Sequence, residues 1–272
     1  MISILVPLDF SDVSTNALNY AADLATDINA NIVLLHVDSI QQYSNEYNVM
    51  AYTVNDSIKI NLERLNEKAT QLKKETSFTG EITCCAEAGN LSSTINDYIT
   101  TKAITYIVMG ITGHNTEIGK ALIGSTAVSI SKESSIPVFI IPTNYRYKKI
   151  HSIAYASDIK DANNLVKIKS IANLFNAELS VLHVIPEDHL IDKEEAKEEL
   201  YIEQKLEHTD HKTFILSNDN VSEALLHFVN THNVDIIVMQ QKEYSFLHKL
   251  LYVSTTKELA FKTTVPLLTL HN

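Results

Sequence analysis

The feature that most limits what this chain can fold into is a repeat. Residues 31–37 (NIVLLHV) reappear as 178–184 (ELSVLHV), and 104–109 (ITYIVM) as 234–239 (VDIIVM). Ser125 and Thr126, followed by Ile136, Pro137 and Val138, match Ser254 and Thr255 followed by Val265, Pro266 and Leu267. A self-similar chain builds the same unit more than once. The offsets are 147, 130 and 129, so the first copy carries the longer region between its second and fourth strands. Over 272 residues, each copy has about 135, an ordinary domain size. The expected domains are 1–143 and 150–272, joined by the polar segment 144–149 (NYRYKK) that follows Pro142.

Each copy alternates short β-branched runs with helical patterns, which is how a parallel sheet with crossover helices reads in sequence. The first copy places strands near 2–8, 31–37, 81–86, 104–109 and 137–141; the second near 151–156, 178–184, 212–216, 234–239 and 265–270. Between the first two strands Ala17, Leu18, Ala21, Leu24, Ala25 and Ile28 keep the spacing of an amphipathic helix, with Ser11 and Ser14 as caps. Leu91, Ile95, Tyr98 and Ile99 repeat that pattern. The fold class is therefore α/β, two tandem five-stranded parallel sheets.

Charge narrows the partners. Thirty-three acidic residues against 22 basic ones leave a formal net charge of -11, shared as -7 over residues 1–143 (15 acidic, 8 basic) and -4 over the remainder (18 acidic, 14 basic). Neither copy is a basic module, so neither nucleic acid nor an anionic membrane is an expected partner. Apolar runs such as 32–35 and 138–141 fall far short of the roughly 18 residues of a membrane span. With no basic stretch before Ile2, the expectation is a cytoplasmic protein. Cys84 and Cys85 are adjacent, which does not suit a zinc or redox pair, and read as buried free thiols.

Of six glycines in the chain, Gly110, Gly113, Gly119 and Gly124 fall just after the fourth strand of the first copy, and the second copy has none. Glycines at the carboxyl end of a parallel strand permit positive φ and close backbone approach, and Ser125 and Thr126 then open a helix whose free N–H groups suit an anion. Such a cluster points to a phosphate site. The rival reading is an ordinary strand-to-helix loop. Neither a dinucleotide fingerprint after the first strand nor a P-loop sequence occurs. Asp9, at the carboxyl end of the first strand, is placed either to accept from an adenine amino group or ribose, or to act as a local cap.

These residues resemble the universal stress protein family over both halves. The resemblance rests on VPLDFS at 6–11, LLHV at 34–37, and Met109-Gly110, Gly113 and then Gly124, Ser125 and Thr126. It implies a Rossmann-like five-stranded domain, with ATP or another adenine nucleotide, with or without Mg2+, bound in the first domain only. Asp9 and the backbone of Val37 would meet adenine, Pro7 would line the base and ribose, and Met109, Gly110 and Gly113 would flank ribose and phosphates. Gly124, Ser125 and Thr126 would hold phosphate oxygens. Ten residues separate Gly113 from Gly124, one more than the family's nine. In the second copy the nine-residue spacing survives, but the glycine positions hold Gln240, Glu243 and Val253, leaving Ser254, Thr255 and Asp158. The resemblance also implies that the two domains pack through their fifth strands as an internal pseudo-dimer, leaving a homodimer of chains open.

The remaining candidates read as structural. His36 and His183 share a strand position and suit packing or strand-end hydrogen bonding; His208 and His211 lack a third metal ligand; His114 sits in the glycine loop. Residues 188–208 read as a solvated helix face, and 40–58, with Tyr43, Tyr47, Met50 and Tyr52, as a lid, a partner surface or a loop. No catalytic constellation or metal site is legible. Three functions remain: an adenine-nucleotide-binding stress or regulatory protein that also meets a protein partner, a scaffold without nucleotide, and an ATP-hydrolysing enzyme, the last having the least support.

Overall fold

A computed structural model describes residues 1–39, 47–111, 125–156, 162–187, 201–240 and 263–270. Described residues up to Tyr147 form one compact unit, and those from Lys148 onward a second. The first runs β1 (Ile2–Pro7), α1 (Asp12–Asp27), β2 (Ala30–Asp38), α2 (Tyr47–Glu75), β3 (Ile82–Ala88), α3 (Leu91–Thr101), β4 (Tyr106–Ile111), α4 (Ser125–Glu133) and β5 (Val138–Pro142). Its strands lie in the order β3-β2-β1-β4-β5, and every pair is parallel.

The second unit runs β6 (Ser152–Ala156), α5 (Ala162–Phe175), β7 (Glu178–Ile185), β8 (His211–Ser217), α6 (Val221–His232), β9 (Ile236–Gln240) and β10 (Leu267–Leu270). Its order, β10-β9-β6-β7-β8, is again parallel throughout. The mixed α/β class and the two five-stranded sheets expected from sequence are what the chain adopts.

A parallel strand covered on both faces must be apolar along its length. Ile4, Leu5 and Val6 of β1 and Ile32, Leu34 and Leu35 of β2 are fully buried. The chain steps from β1 to β2 to β3 in one direction and from β4 to β5 in the other. Right-handed crossovers therefore put α1 and α2 on one face and α4 on the opposite one, in agreement with the packing of α4 against α3, β4 and β5. Helix α1 starts where Ser11 accepts from Ser14 N at 3.2 Å, and it buries the predicted Ala17, Leu18, Ala21, Leu24 and Ala25.

The duplication extends to backbone conformation. Asn29 and Asn176, 147 apart, both adopt positive φ (52° and 51°) where a helix turns into the next strand. Ala103 (φ 49°) and Asn233 (φ 50°), 130 apart, do so before β4 and β9. Asparagine tolerates this left-handed region better than other non-glycine residues, so Ala103 is the costlier member of its pair.

Several expectations change. Residues 137 and 265–266 precede their strands, which begin at Val138 and Leu267. Pro137 and Pro266 cannot donate to a ladder, though their carbonyls accept from Ile107 N at 3.1 Å and Ile237 N at 3.0 Å. Of the segment 40–58, residues 40–46 lie outside those described, while 47–58 are the opening turns of the 29-residue α2. That helix was hidden because little of it is core: Leu65 and Leu72 are buried, but Ile60 and Leu62 are exposed. The thiols of Cys84 and Cys85 are free, yet half-buried rather than buried, because β3 borders its unit's sheet on one side only. The link is not a bare tether: Tyr147 donates to Asp27 Oδ2 at 2.6 Å, its ring meets Tyr20 edge-on at 5.2 Å, and Asn16 Nδ2 donates to Tyr145 O at 3.2 Å. The 188–200 part of the charged segment lies outside the described residues.

Candidate functional site

In the first unit the direction of winding reverses between β1 and β4, which are hydrogen-bonded neighbours. Ligands of open α/β sheets bind beyond the carboxyl ends of the strands at such a reversal. Pro7 ends β1, buried and paired with Leu35. Asp9 follows it, exposed, and Val37 lies half-buried near the end of β2, paired with Glu87. Met109, buried, and Gly110, half-buried, lie at the end of β4 opposite Ile140 and Ile141. Ser125 is the first residue of α4, and Thr126, exposed, the second. Gly113, Gly119, Gly124 and His114 lie outside the described residues. The strand-borne members of the predicted set thus share one end of the sheet.

Two of them have local employment. Asp9 Oδ1 accepts from Ser11 N at 3.0 Å and Ser11 Oγ at 2.6 Å, so the carboxylate braces the turn that caps α1. Burial acts to raise this carboxyl, but hydrogen bonds from Ser11 and Ser14 outweigh it and hold it below the usual carboxylate range. Gly110 is required by packing. A Cβ there would lie 2.6 Å from both Val13 Cγ1 and Val13 O, and 3.0 Å from Val13 C. Close approach of α1, not positive φ, demands this glycine, since Gly89 is the one positive-φ glycine among the described residues.

The structure adds a polar cluster that the sequence reading did not assemble. His36 Nδ1 lies 2.7 Å from Leu8 O, and its Nε2 3.1 Å from Asp38 Oδ1. The expected strand-end hydrogen bonding of His36 is present. Asp38 Oδ2 accepts from Ser57 Oγ at 2.6 Å and Asn61 Nδ2 at 2.8 Å, both on α2. Burial pushes the Asp38 carboxyl up, but bonds from Ser57, His36 and Asn61 and the charge of His36 carry it below its ordinary value. Arg64 Nη1 donates to Asn61 Oδ1 at 3.3 Å, and its guanidinium stands 3.7 Å from the Phe10 ring centroid. Phe10, at φ 64°, lies 4.9 Å from the His36 ring. A bulky residue in the left-handed region is uncommon and persists only where its surroundings hold it. The available signals were short-range: His36 and Asp38 two apart on a strand share a face, and Ser57, Asn61 and Arg64 fall at helical spacing of four and three.

Elsewhere, His208 is exposed at φ 67° and its Nε2 lies 3.6 Å from Glu207, while His211 is nearly buried with Nδ1 2.9 Å from Thr209 O. Among the described residues no three His, Cys, Asp or Glu side chains converge as a metal site would require. No helix among them is long and apolar enough to cross a membrane.

The model of the universal stress protein family matches residues 1–142 and 157–271. Among solved structures, the chain is similar to a universal stress protein from Archaeoglobus fulgidus DSM 4304 at a TM-score of 0.74 and 19% identity, over 99% of this chain and 98% of that one. It is also similar to a putative universal stress protein from Pseudomonas aeruginosa UCBPP-PA14, at 0.62 and 17%, over 99% and 92% of the two chains. At these identities the likeness speaks to the fold. No curated protein matches the chain.

Proposed function

The chain belongs to the universal stress protein family, and from that premise we propose that its first unit binds an adenine nucleotide, ATP or a relative with or without Mg2+. The nucleotide acts as a ligand that biases conformation or partner binding, not as a substrate consumed. One observation carries this reading: Pro7 to Phe10 and Met109 to Gly110 end adjacent strands at the reversal of strand order, the position where open α/β sheets take ligands. Backbone N–H groups at the start of α4, with Ser125 and Thr126, suit phosphate. In the second unit Gln240, Glu243 and Val253 replace the glycines. A carboxylate and a β-branched side chain oppose phosphate by charge and bulk, so that unit stays without nucleotide.

The test is to denature the purified chain and look for released adenine nucleotide, then to titrate the emptied protein with ATP and Mg2+ by calorimetry. One site per chain is expected, abolished by Gly113→Glu, which imitates Glu243. Two sites, or one that survives the change, refutes the assignment. The second reading, a nucleotide-free scaffold, draws on Val13: its contact accounts for Gly110 without a ligand. A chain that neither carries nor binds nucleotide decides in its favour.

A further inference from the structure

The two ring nitrogens of His36 face oxygens that only accept: the Leu8 carbonyl at 2.7 Å and the Asp38 carboxylate at 3.1 Å. A neutral imidazole has a single N–H, so one of these contacts would set lone pair against lone pair. Only the imidazolium makes both. Leu8 is held at its other end as well, its N donating to Leu35 O at 2.8 Å. From Asp38 the connection continues to Ser57 and Asn61, from Asn61 to Arg64, and from Arg64 through the Phe10 ring back to His36. The circuit closes around the turn between β1 and α1, the base end of the proposed nucleotide site.

The second unit keeps a histidine at the equivalent strand position, His183, but Ile185 stands where Asp38 does, and Ile159 follows Asp158 where Phe10 follows Asp9. The acid and the aromatic ring thus occur only in the copy that retains the glycines.

We propose that His36 is a proton-dependent positioning residue: as imidazolium it clamps the Leu8 to Phe10 turn and α2 together, and nucleotide binding weakens as it loses its proton. The ligand part of this inference rests on the reading that the first unit binds adenine nucleotide. The groups around the ring are accounted for. Asp38, on its own strand, favours the charged form; Arg64, from α2, opposes it from beyond the Phe10 ring. The Asp9 carboxylate is engaged by Ser11, and on β3 the residue paired with His36 is Ala86, with Glu87 accepting from Tyr98 at 2.8 Å. The sign follows from linkage: a contact made only by the protonated ring is complete at low pH and is lost as pH rises through the histidine's titration.

The experiment uses the full chain labelled with 15N-histidine. Long-range proton–nitrogen spectra at pH 6.5 to 8.5, with His36 assigned by its disappearance in His36→Gln, report ring protonation, while amide-exchange protection over 54–75 reports α2. ATP affinity is measured in parallel at both ends of the range. The expected result is an imidazolium for His36 at pH 6.5, α2 protection that falls as the ring titrates, and an ATP Kd rising at least about fivefold more in the wild type than in His36→Gln. The variant's own profile removes the ionisation of ATP. Should that variant fold poorly, Asp38→Asn keeps the side-chain shape but removes the carboxylate that Nε2 faces, and is expected to flatten the pH dependence of both α2 protection and the ATP Kd. A neutral His36 tautomer throughout, or equal Kd ratios in wild type and variant, overturns the proposal. If ATP binds at no pH while imidazolium and pH-dependent protection are both present, the nucleotide reading falls and the clamp stands.

Discussion

Gly110 separates a ligand's requirement from a fold's. Replacing it with alanine sets a Cβ 2.6 Å from Val13 Cγ1 and Val13 O, and 3.0 Å from Val13 C. Carbon atoms rest roughly 3.5–4.0 Å apart, so the intrusion is about 1 Å. The Cγ1 contact can be relieved by rotating the Val13 side chain. The other two atoms are backbone in the first turn of α1, so the helix itself must move away from β4. Overpacking costs about 1–3 kcal/mol, and the backbone contacts set Gly110→Ala at the upper end. For a unit of this size that corresponds to a fall in Tm of about 10 °C. The assay is urea or thermal unfolding of the full chain stripped of nucleotide, followed through the first unit's transition. Adding Val13→Ala removes Cγ1 but not the peptide atoms and should restore less than half of the loss. A nucleotide-free Gly110→Ala chain within about 0.5 kcal/mol of wild type refutes the reasoning. It would return Gly110 to the phosphate site alone.

Three further outcomes are expected. Ala103→Asn, which imitates Asn233 at an exposed left-handed position, should stabilise the first unit by about 0.5–1 kcal/mol in denaturant unfolding, and Ala103→Gly by a similar amount. Asp38→Asn should cost about 1–2 kcal/mol at pH 7; because the Asp38 carboxyl is held below 3.8, the part of its contribution made with Ser57 and Asn61 is present at pH 7 and lost as pH falls through that depressed range, which unfolding curves of both chains at pH 7 and pH 3 will check. Deleting Ile118 or Gly119 leaves nine residues between Gly113 and Gly124, the spacing of the family, and should tighten ATP binding in calorimetry without lowering Tm.

The sequence by itself determined the two-fold repeat, the α/β class and the strand-borne part of the candidate site. These depend on local regularities: apolar runs that must be covered on both faces, helical spacing as in Ala17 to Leu24, and motif residues whose places at strand ends follow from where each run stops. What the sequence could not decide depends on atoms far apart in the chain. Gly110 reads as a phosphate residue until Val13, ninety-seven positions earlier, is found against it. The opening turns of α2, within 40–58, read as a lid, a partner surface or a loop because the hold of this helix on the sheet is partly polar, through Ser57 and Asn61 to Asp38, and a periodicity of apolar residues does not register such bonds. His36 reads as packing or strand-end hydrogen bonding, but which oxygens its ring meets, Leu8 O on one side and Asp38 Oδ1 on the other, is set only by the fold. Pairwise contacts across β1, β2 and α2 exist only after crossover and register are set, which is why chemistry at the strand ends was decided by tertiary structure.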